Sequence, residues 1–369
     1  MRELAGSMGD FGTLFPLAIG YIAVCGMNPA GLLVMMGMAN IVTGIVYRLP
    51  MPIEPMKVLA VVAIAQRWRP SMVYASAFAM GVIWIFMAWS GWMAWLARVT
   101  PKSVVRGIQA ALGVMLAIEG IKMVSTAWAL GAIAVVIIFV LRENRYAPAA
   151  VVLMALGVFL AAWKGQMVGV QPPEFSLPPL TGFSPQEVWD SMVLAGFAQV
   201  PLTATNAVIA TAALIVFYWP GKPVSERKLS LNMGIMNLIV PFFGGMPLCH
   251  GAGGLAGQYY FGARTGGTNI IEGAIEIGLG LFFAGSIATL FHAFPLAIIG
   301  GMMFLVGLEL TKFARDLRPG FDLWVMMLTV LVSLAANMAV GFAAGMAAHK
   351  IGEPTTGNWT RKKEPGASK

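Results

Sequence analysis

Long apolar runs, separated by short stretches of charged residues, proline and glycine, make up most of this 369-residue chain. A helix needs roughly 20 apolar residues to cross a bilayer. The pattern predicts twelve regular spans, at residues 11–26, 30–47, 71–97, 103–121, 127–141, 147–163, 190–217, 230–243, 268–290, 295–311, 321–335 and 337–349. Two more segments, 52–65 and 247–262, are too short or too glycine-rich to be ordinary spans, so about fourteen segments are expected.

The composition indicates a surface that faces lipid. Hydrophobic residues make up 58% of the chain and charged residues 11%, and the mean hydropathy is +0.78. Soluble domains carry about 25% charged residues, so we expect an all-α integral membrane protein. A net charge of +8 would favour nucleic-acid binding in a soluble protein, but here the basic residues lie in short connectors and no nucleic-acid partner is expected. Cys25 and Cys249 imply no disulfide framework.

The two irregular segments occupy matching places in two halves of the chain. Met51-Pro52 and Met246-Pro247 are 195 residues apart. At an offset of 194, Pro101, Gly107 and Gly113 match Pro295, Gly301 and Gly307. Two homologous halves of seven segments each, an odd number, must be inverted relative to each other. The prediction is therefore a 7+7 inverted repeat that contains two half-helices.

The predicted domains follow from this repeat. The first repeat spans 1–165, an extracytoplasmic proline-rich linker 166–187, the second repeat 188–350, and a disordered cytoplasmic tail 351–369. With the N-terminus in the cytoplasm, most Lys and Arg residues fall on the cytoplasmic side, and the outer connectors hold Arg67, Arg69, Lys122 and Lys164. This bias agrees with the positive-inside rule. A multi-pass protein of the cell (inner) membrane with both termini in the cytoplasm is expected.

Broken helices at matching places of an inverted repeat indicate a transporter's binding site. A half-helix that starts in mid-membrane leaves N–H groups that lipid cannot satisfy, and two such N-termini suit a small anion. The candidate substrate-binding residues of these segments are Pro52, Glu54, Lys57, Cys249, His250, Gly251, Ala252 and Gly253. Alternatively, the glycines allow tight packing of helices.

Ionisable residues inside the membrane leave two interpretations open. Lys57 either supplies positive charge to an anion or pairs with Glu54 on the same helix face. His250 either donates to an oxyanion, relays a proton, or has a structural role.

Polar residues in the neighbouring spans are further candidates for the solute path. Gln199, Thr203 and Asn206 form a polar patch in an apolar span, and Thr13 lies at the matching place in the first half. Such residues line a path or join helices. Four glutamates are candidates for buried carboxylates: Glu119, Glu272, Glu276 and Glu309.

Enzyme motifs are missing from the sequence. It has no HExxH, no GxSxG and no Walker A loop, and its four aspartates are far apart. We therefore expect no catalytic residues, no bound metal and no cofactor.

Four segments carry a resemblance to a known family. GDFGTLFPLAIG (9–20), PMPIEPMK (50–57), LTATNAVIATAAL (202–214) and FGGMPLCHGAGGLAGQYYFGARTGG (243–267) resemble the molybdate transporter family, relatives of the sulfate permeases. The resemblance implies the fold of the uracil and sulfate permeases, with core and gate domains, and uptake of molybdate. This chain differs from the family pattern at Glu54, where the family usually has Gln. The segment 352–369 is too short for the regulatory domain of sulfate permeases, which favours the molybdate branch.

The leading hypothesis is a secondary transporter that imports molybdate by alternating access. There are three alternatives: transport of sulfate or another oxyanion, a passive anion channel of the same fold, and a scaffold without transport. Tungstate resembles molybdate and could share its site. Importing a dianion against 100 mV costs about 4.6 kcal/mol, from about 2.3 kcal/mol per charge. Uptake therefore requires a coupling cation, H⁺ or Na⁺, or intracellular trapping. Relatives of this fold often dimerise, so a homodimer is among the expected partners.

Overall fold

The computed structural model describes residues 2–7, 11–141, 149–165, 172–293, 295–312, 317 and 320–356. The described chain is mostly helical, as predicted for an all-α membrane protein. Its first half contains helices α1 (Arg2–Ser7), α2 (Phe11–Ala23), α3 (Pro29–Tyr47), α4 (Lys57–Gln66), α5 (Pro70–Ser90), α6 (Trp92–Val99), α7 (Lys102–Val124), α8 (Trp128–Leu141) and α9 (Ala149–Trp163), with strand β1 (Glu54–Pro55) before α4.

The second half also contains a short strand directly before a short helix. It contains α10 (Pro185–Ser191), α11 (Phe197–Thr203), α12 (Ala210–Tyr218), α13 (Glu226–Ile239), strand β2 (Leu248–Cys249), α14 (Ala252–Tyr260), α15 (Gly267–Ala293), α16 (Leu296–Lys312), α17 (Phe321–Ala335) and α18 (Met338–Thr356). Two π-helical segments, Met192–Gly196 and Ala204–Ile209, join α10, α11 and α12 into one long helix. Such π segments often occur at functional sites.

Five helices in the described part of the chain are long and apolar enough to cross a membrane. They are Pro29–Tyr47, Pro70–Ser90, Lys102–Val124, Pro185–Tyr218 and Gly267–Ile287.

Local sequence sets where helix α3 begins. Asn28 precedes Pro29 and accepts hydrogen bonds from Ala30 N (2.8 Å) and Gly31 N (3.2 Å), which satisfies two of the first N–H groups of α3.

Helices of the first half pack on helices of the second half. Helix α3 packs on α15 and α5 packs on α13, while α7 packs on α16. Glycines allow the closest approaches. A Cβ on Gly113 of α7 would lie 2.6 Å from the Gly307 carbonyl oxygen, and a Cβ on Gly307 of α16 would lie 2.6 Å from that of Gly113. Gly113 and Gly307, which match in the 194-residue offset, therefore contact each other reciprocally.

The described helices differ from the predicted segments in several places. The predicted span 71–97 is two helices, because Gly91 ends α5 with a left-handed φ of 71° and α6 follows. Helix α18 continues through Thr356, past the predicted end of the last span at residue 349, and 357–369 lie outside the described residues. Helix α1 was not predicted.

Candidate functional site

The two irregular segments meet as a pair of short antiparallel strands. Glu54 pairs with Cys249 and Pro55 with Leu248, and Met56 N donates to the carbonyl oxygen of Pro247 at 2.9 Å. Glu54 and Cys249 match in the 195-residue offset of the two halves. The pairing provides hydrogen-bond partners for backbone N–H and C=O groups that lipid could not satisfy. It also places the starts of α4 and α14 at one centre.

Two asparagines hold these strands in place. The side-chain amide of Asn237 accepts from Leu248 N at 2.9 Å and donates to Leu248 O at 2.6 Å. Asn269 bonds Met51 in the same way, at 2.8 and 2.6 Å. The sequence analysis did not assign these residues to the site, although a buried amide inside an apolar span is a signal that could have found them.

Helix α4 is capped by a side chain from the other half. Its N-cap residue, Met56, makes no side-chain cap. Instead, the Oε1 atom of Gln199 accepts from Val58 N at 2.7 Å and from Leu59 N at 3.3 Å. Gln199 Nε2 donates to Thr203 Oγ1 at 2.5 Å. The predicted polar residues Gln199 and Thr203 thus lie at the centre, and Gln199 takes two of the backbone donors that an anion would otherwise use.

Lys57 and Glu54 form an ion pair inside the site. Lys57 Nζ lies 2.6 Å from Glu54 Oε2, and the side chains are 27% and 2% exposed, respectively. Of the two interpretations of Lys57, the structure shows the one in which Lys57 pairs with Glu54.

The carboxylate of Glu54 lies against the start of α14. A Cβ on Gly251 would be 2.7 Å from Glu54 Oε2, and a Cβ on Gly254 would be closer still to Oε1. The two glycines therefore provide the room that the carboxylate occupies.

One side of the α14 N-terminus is open. Gly251 is its N-cap and makes no side-chain cap, and Ala252 is the first helical residue. No described atom outside the helix lies within 4 Å of the position of a Cβ on Gly253. Free N–H groups and the positive end of a helix dipole attract anions, so the open side at Gly253 keeps Ala252 and Gly253 as candidates for contact with a small anion.

His250 and Cys249 are buried beside the strand pair. His250 Nδ1 lies 3.4 Å from the carbonyl oxygen of Pro52, and Nε2 is buried without a hydrogen-bond partner among the described residues. The ring packs edge-on against Tyr47, with 5.8 Å between centroids, and the Tyr47 hydroxyl donates to Lys228 O at 3.1 Å. Cys249 Sγ donates to Pro55 O at 3.9 Å. Pro52 and His250 thus connect the two irregular segments.

Two further predicted candidates lie on neighbouring helical segments. Asn206 lies in the second π segment, and its backbone carbonyl accepts from Thr211 Oγ1 at 3.3 Å. Thr13 lies on α2, which packs against β1 and α4, and its side chain is outside the described part of the structure.

Three of the four candidate carboxylates are buried, as predicted. Glu119 forms an ion pair with Lys122 at 3.2 Å. Glu272 accepts from Gln258 Nε2 at 3.2 Å, and Glu276 accepts from Asn40 Nδ2 at 2.9 Å. The fourth side chain, that of Glu309, lies outside the description. Among the described residues, no group of three or more His, Cys, Asp and Glu side chains could hold a metal ion.

Proteins named as molybdate transporters are similar to this chain over most of its length. The Arabidopsis thaliana proteins named molybdate transporter 1 and molybdate transporter 2 are 31% and 30% identical to this chain, over 94% and 93% of it and 86% and 85% of their own lengths. Molybdate transporter 1 of Chlamydomonas reinhardtii is 27% identical, over 93% of this chain and 90% of its own.

Solved structures share the fold. The transmembrane domain of the cyanobacterial bicarbonate transporter BicA has a TM-score of 0.69 at 16% identity, covering 93% of this chain and 96% of that one. The murine anion transporter Slc26a9 has a TM-score of 0.71 at 12% identity, covering 96% and 68%. A family model described as molybdate transporter of the MFS superfamily matches residues 2–116 and 191–310. The chain therefore belongs to the molybdate transporter family, with the fold of the sulfate permease and SLC26 anion transporters.

Proposed function

We propose that this chain is a secondary transporter that imports molybdate across the cytoplasmic membrane by alternating access. The observation that carries the proposal is the meeting of α4 and α14 at the strand pair of Glu54 and Cys249. The exposed first turn of α14 supplies N–H donors, and Lys57 supplies positive charge at the same centre. A tetrahedral dianion suits such donors because they replace part of its hydration shell.

The inverted repeat is part of this proposal. Reciprocal contact between equivalent residues, such as Gly113 and Gly307, is what a local two-fold axis produces. The packed pairs α3 with α15 and α5 with α13 fit the same axis. We place seven segments in each half and both termini in the cytoplasm, with the linker 166–187 outside. One group of helices would then rock against the other around the fixed site.

Uptake of labelled molybdate into proteoliposomes tests the proposal. We expect saturable uptake at nanomolar molybdate that persists in a large excess of sulfate and disappears in Lys57→Ala. Uptake abolished by sulfate would favour a sulfate permease. Flux that does not saturate would favour a passive channel. If Lys57→Ala and His250→Ala change stability alone, the broken helices are not the binding site.

A further inference from the structure

We propose that Glu54 is a tethered carboxylate that competes with the substrate for its own site and that must be protonated before the oxyanion binds, so that one proton enters with each anion. The inference rests on the proposed function, because it concerns the same site. It adds the coupling ion and the residue that carries it.

The position of Glu54 is the first support. Its side chain is 2% exposed, and one oxygen is 2.6 Å from Lys57 Nζ. The same carboxylate lies against Gly251 and Gly254 at the start of α14. It thus contacts both features that an arriving oxyanion needs, the ammonium group and the N-terminal turn of the second half-helix.

The charge at the centre is the second support. The titratable groups of the elements packed around β1 are Lys57 on α4, Cys249 and His250 after the second break, and Tyr21 on α2. Helix α14 carries Tyr259 and Tyr260 at its other end. The charges of Lys57 and the ionised Glu54 cancel each other, so a dianion arriving at the pair gains no attraction from these side chains and meets a second negative charge at contact distance. Like charges at this distance disfavour each other's ionised form.

Protonation of Glu54 resolves this conflict. A proton from the outer solution neutralises the carboxylate, which ends its ion pair and leaves the Lys57 ammonium to the oxyanion. After the site turns to the cytoplasm, the anion leaves, the proton dissociates into the cytoplasm, and the Glu54–Lys57 pair forms again. One proton and one dianion cross in each cycle, and every charge is accounted for.

The chain contains a matched control for this pair. Glu119 is also buried, and it pairs with Lys122 three residues later on α7, with 3.2 Å between Nζ and Oε2. Glu119→Gln therefore removes a buried carboxylate that also pairs with a lysine three residues later, but away from the strand pair. Glu54→Gln removes the tethered carboxylate while keeping its size.

The first measurement is molybdate binding by the purified full-length protein, over a pH range in which molybdate stays a dianion. If one proton is taken up with each anion, the Kd of the unaltered protein and of Glu119→Gln should rise by up to about tenfold per pH unit. The Kd of Glu54→Gln should stay constant and should match that of the unaltered protein at its acidic limit. A pH slope that persists in Glu54→Gln would overturn the proposal.

The second measurement uses the unaltered protein in proteoliposomes with a trapped pH-sensitive dye, so it does not depend on a variant that folds. Addition of molybdate outside should acidify the interior, and an inward proton gradient should raise uptake. Molybdate uptake without acidification would overturn the role of Glu54 and leave the proposed function intact. No molybdate binding at any pH would instead overturn the proposed function itself.

Discussion

Gln199 Oε1 accepts a 2.7 Å hydrogen bond from the backbone N–H of Val58, 141 residues away. A long helix with two π segments thereby closes the open end of the first half-helix. The second half-helix has no such cap, since Gly251 makes no side-chain cap to α14. The two ends therefore differ: a side chain of the other half caps the first, and the N-cap residue of the second offers no side-chain cap.

The first prediction concerns this cap. Gln199→Ala leaves the N–H groups of Val58 and Leu59 buried without their acceptor, which should lower the free energy of unfolding by about 1–3 kcal/mol and weaken molybdate binding. Gln186→Ala is the control, since that exposed amide bonds Asp190 on the surface and should change stability by less than about 0.5 kcal/mol. Thermal unfolding in detergent measures both. Equal effects would show that the cap does not stabilise α4.

The second prediction separates the two sides of the α14 N-terminus. Gly254→Ala places a methyl group on the Glu54 carboxylate, and such overpacking should cost about 1–3 kcal/mol. Gly253→Ala meets no described atom and gains helix propensity, about 1 kcal/mol, so the fold should be at least as stable. Molybdate binding by Gly253→Ala should nevertheless weaken, because the methyl group takes space from the anion.

Gly221→Ala is the control for the second prediction, because it also meets no described atom and lies in the loop after α12. Stability is measured by thermal unfolding and affinity by equilibrium binding. Undiminished affinity in Gly253→Ala would place the anion elsewhere.

The third prediction concerns the contact of α7 with α16. A Cβ on Gly113 or on Gly307 meets the carbonyl oxygen of the other residue at 2.6 Å, so each alanine substitution should force the helices apart at a cost of about 1–3 kcal/mol. Because the contact is reciprocal, the two losses should be similar and the double variant should lose less than their sum. Gly278→Ala on α15, which meets no described atom, should be neutral or stabilising. Fully additive losses would argue against a shared contact.

The fourth prediction is a double-mutant cycle on the ion pair. Removing one partner of a fully buried pair costs about 3–5 kcal/mol. The Lys57 side chain is 27% exposed, so Lys57→Ala should lose an amount at or below the lower end of this range. Combining it with Glu54→Gln should restore most of the stability but not molybdate binding, since the positive charge is still missing. Thermal unfolding and binding distinguish these effects, and a double variant that binds molybdate normally would contradict the role of Lys57.

Several features of this protein follow from sequence alone. Apolar runs of sufficient length predict helices because lipid offers no partner to an open backbone, and most predicted spans have a helix within a few residues of their bounds. The Met-Pro pairs at 51 and 246 located both breaks, since proline and glycine interrupt helices for local reasons. The family followed from the residues around these breaks.

The tertiary structure alone decided how the breaks are used. No local pattern shows that Gln199 caps α4, that Asn237 and Asn269 hold the strands, or that Glu54 lies against Gly251 and Gly254, because each contact joins segments far apart in the chain. Helical spacing predicted Glu54 and Lys57 on one helix face, but Glu54 lies in β1, before α4 begins, and the pair forms across this boundary. Helical periodicity is a local property that the sequence determines. The partners of polar groups at a helix end depend on which other helix arrives there, and the packing of the whole chain determines that.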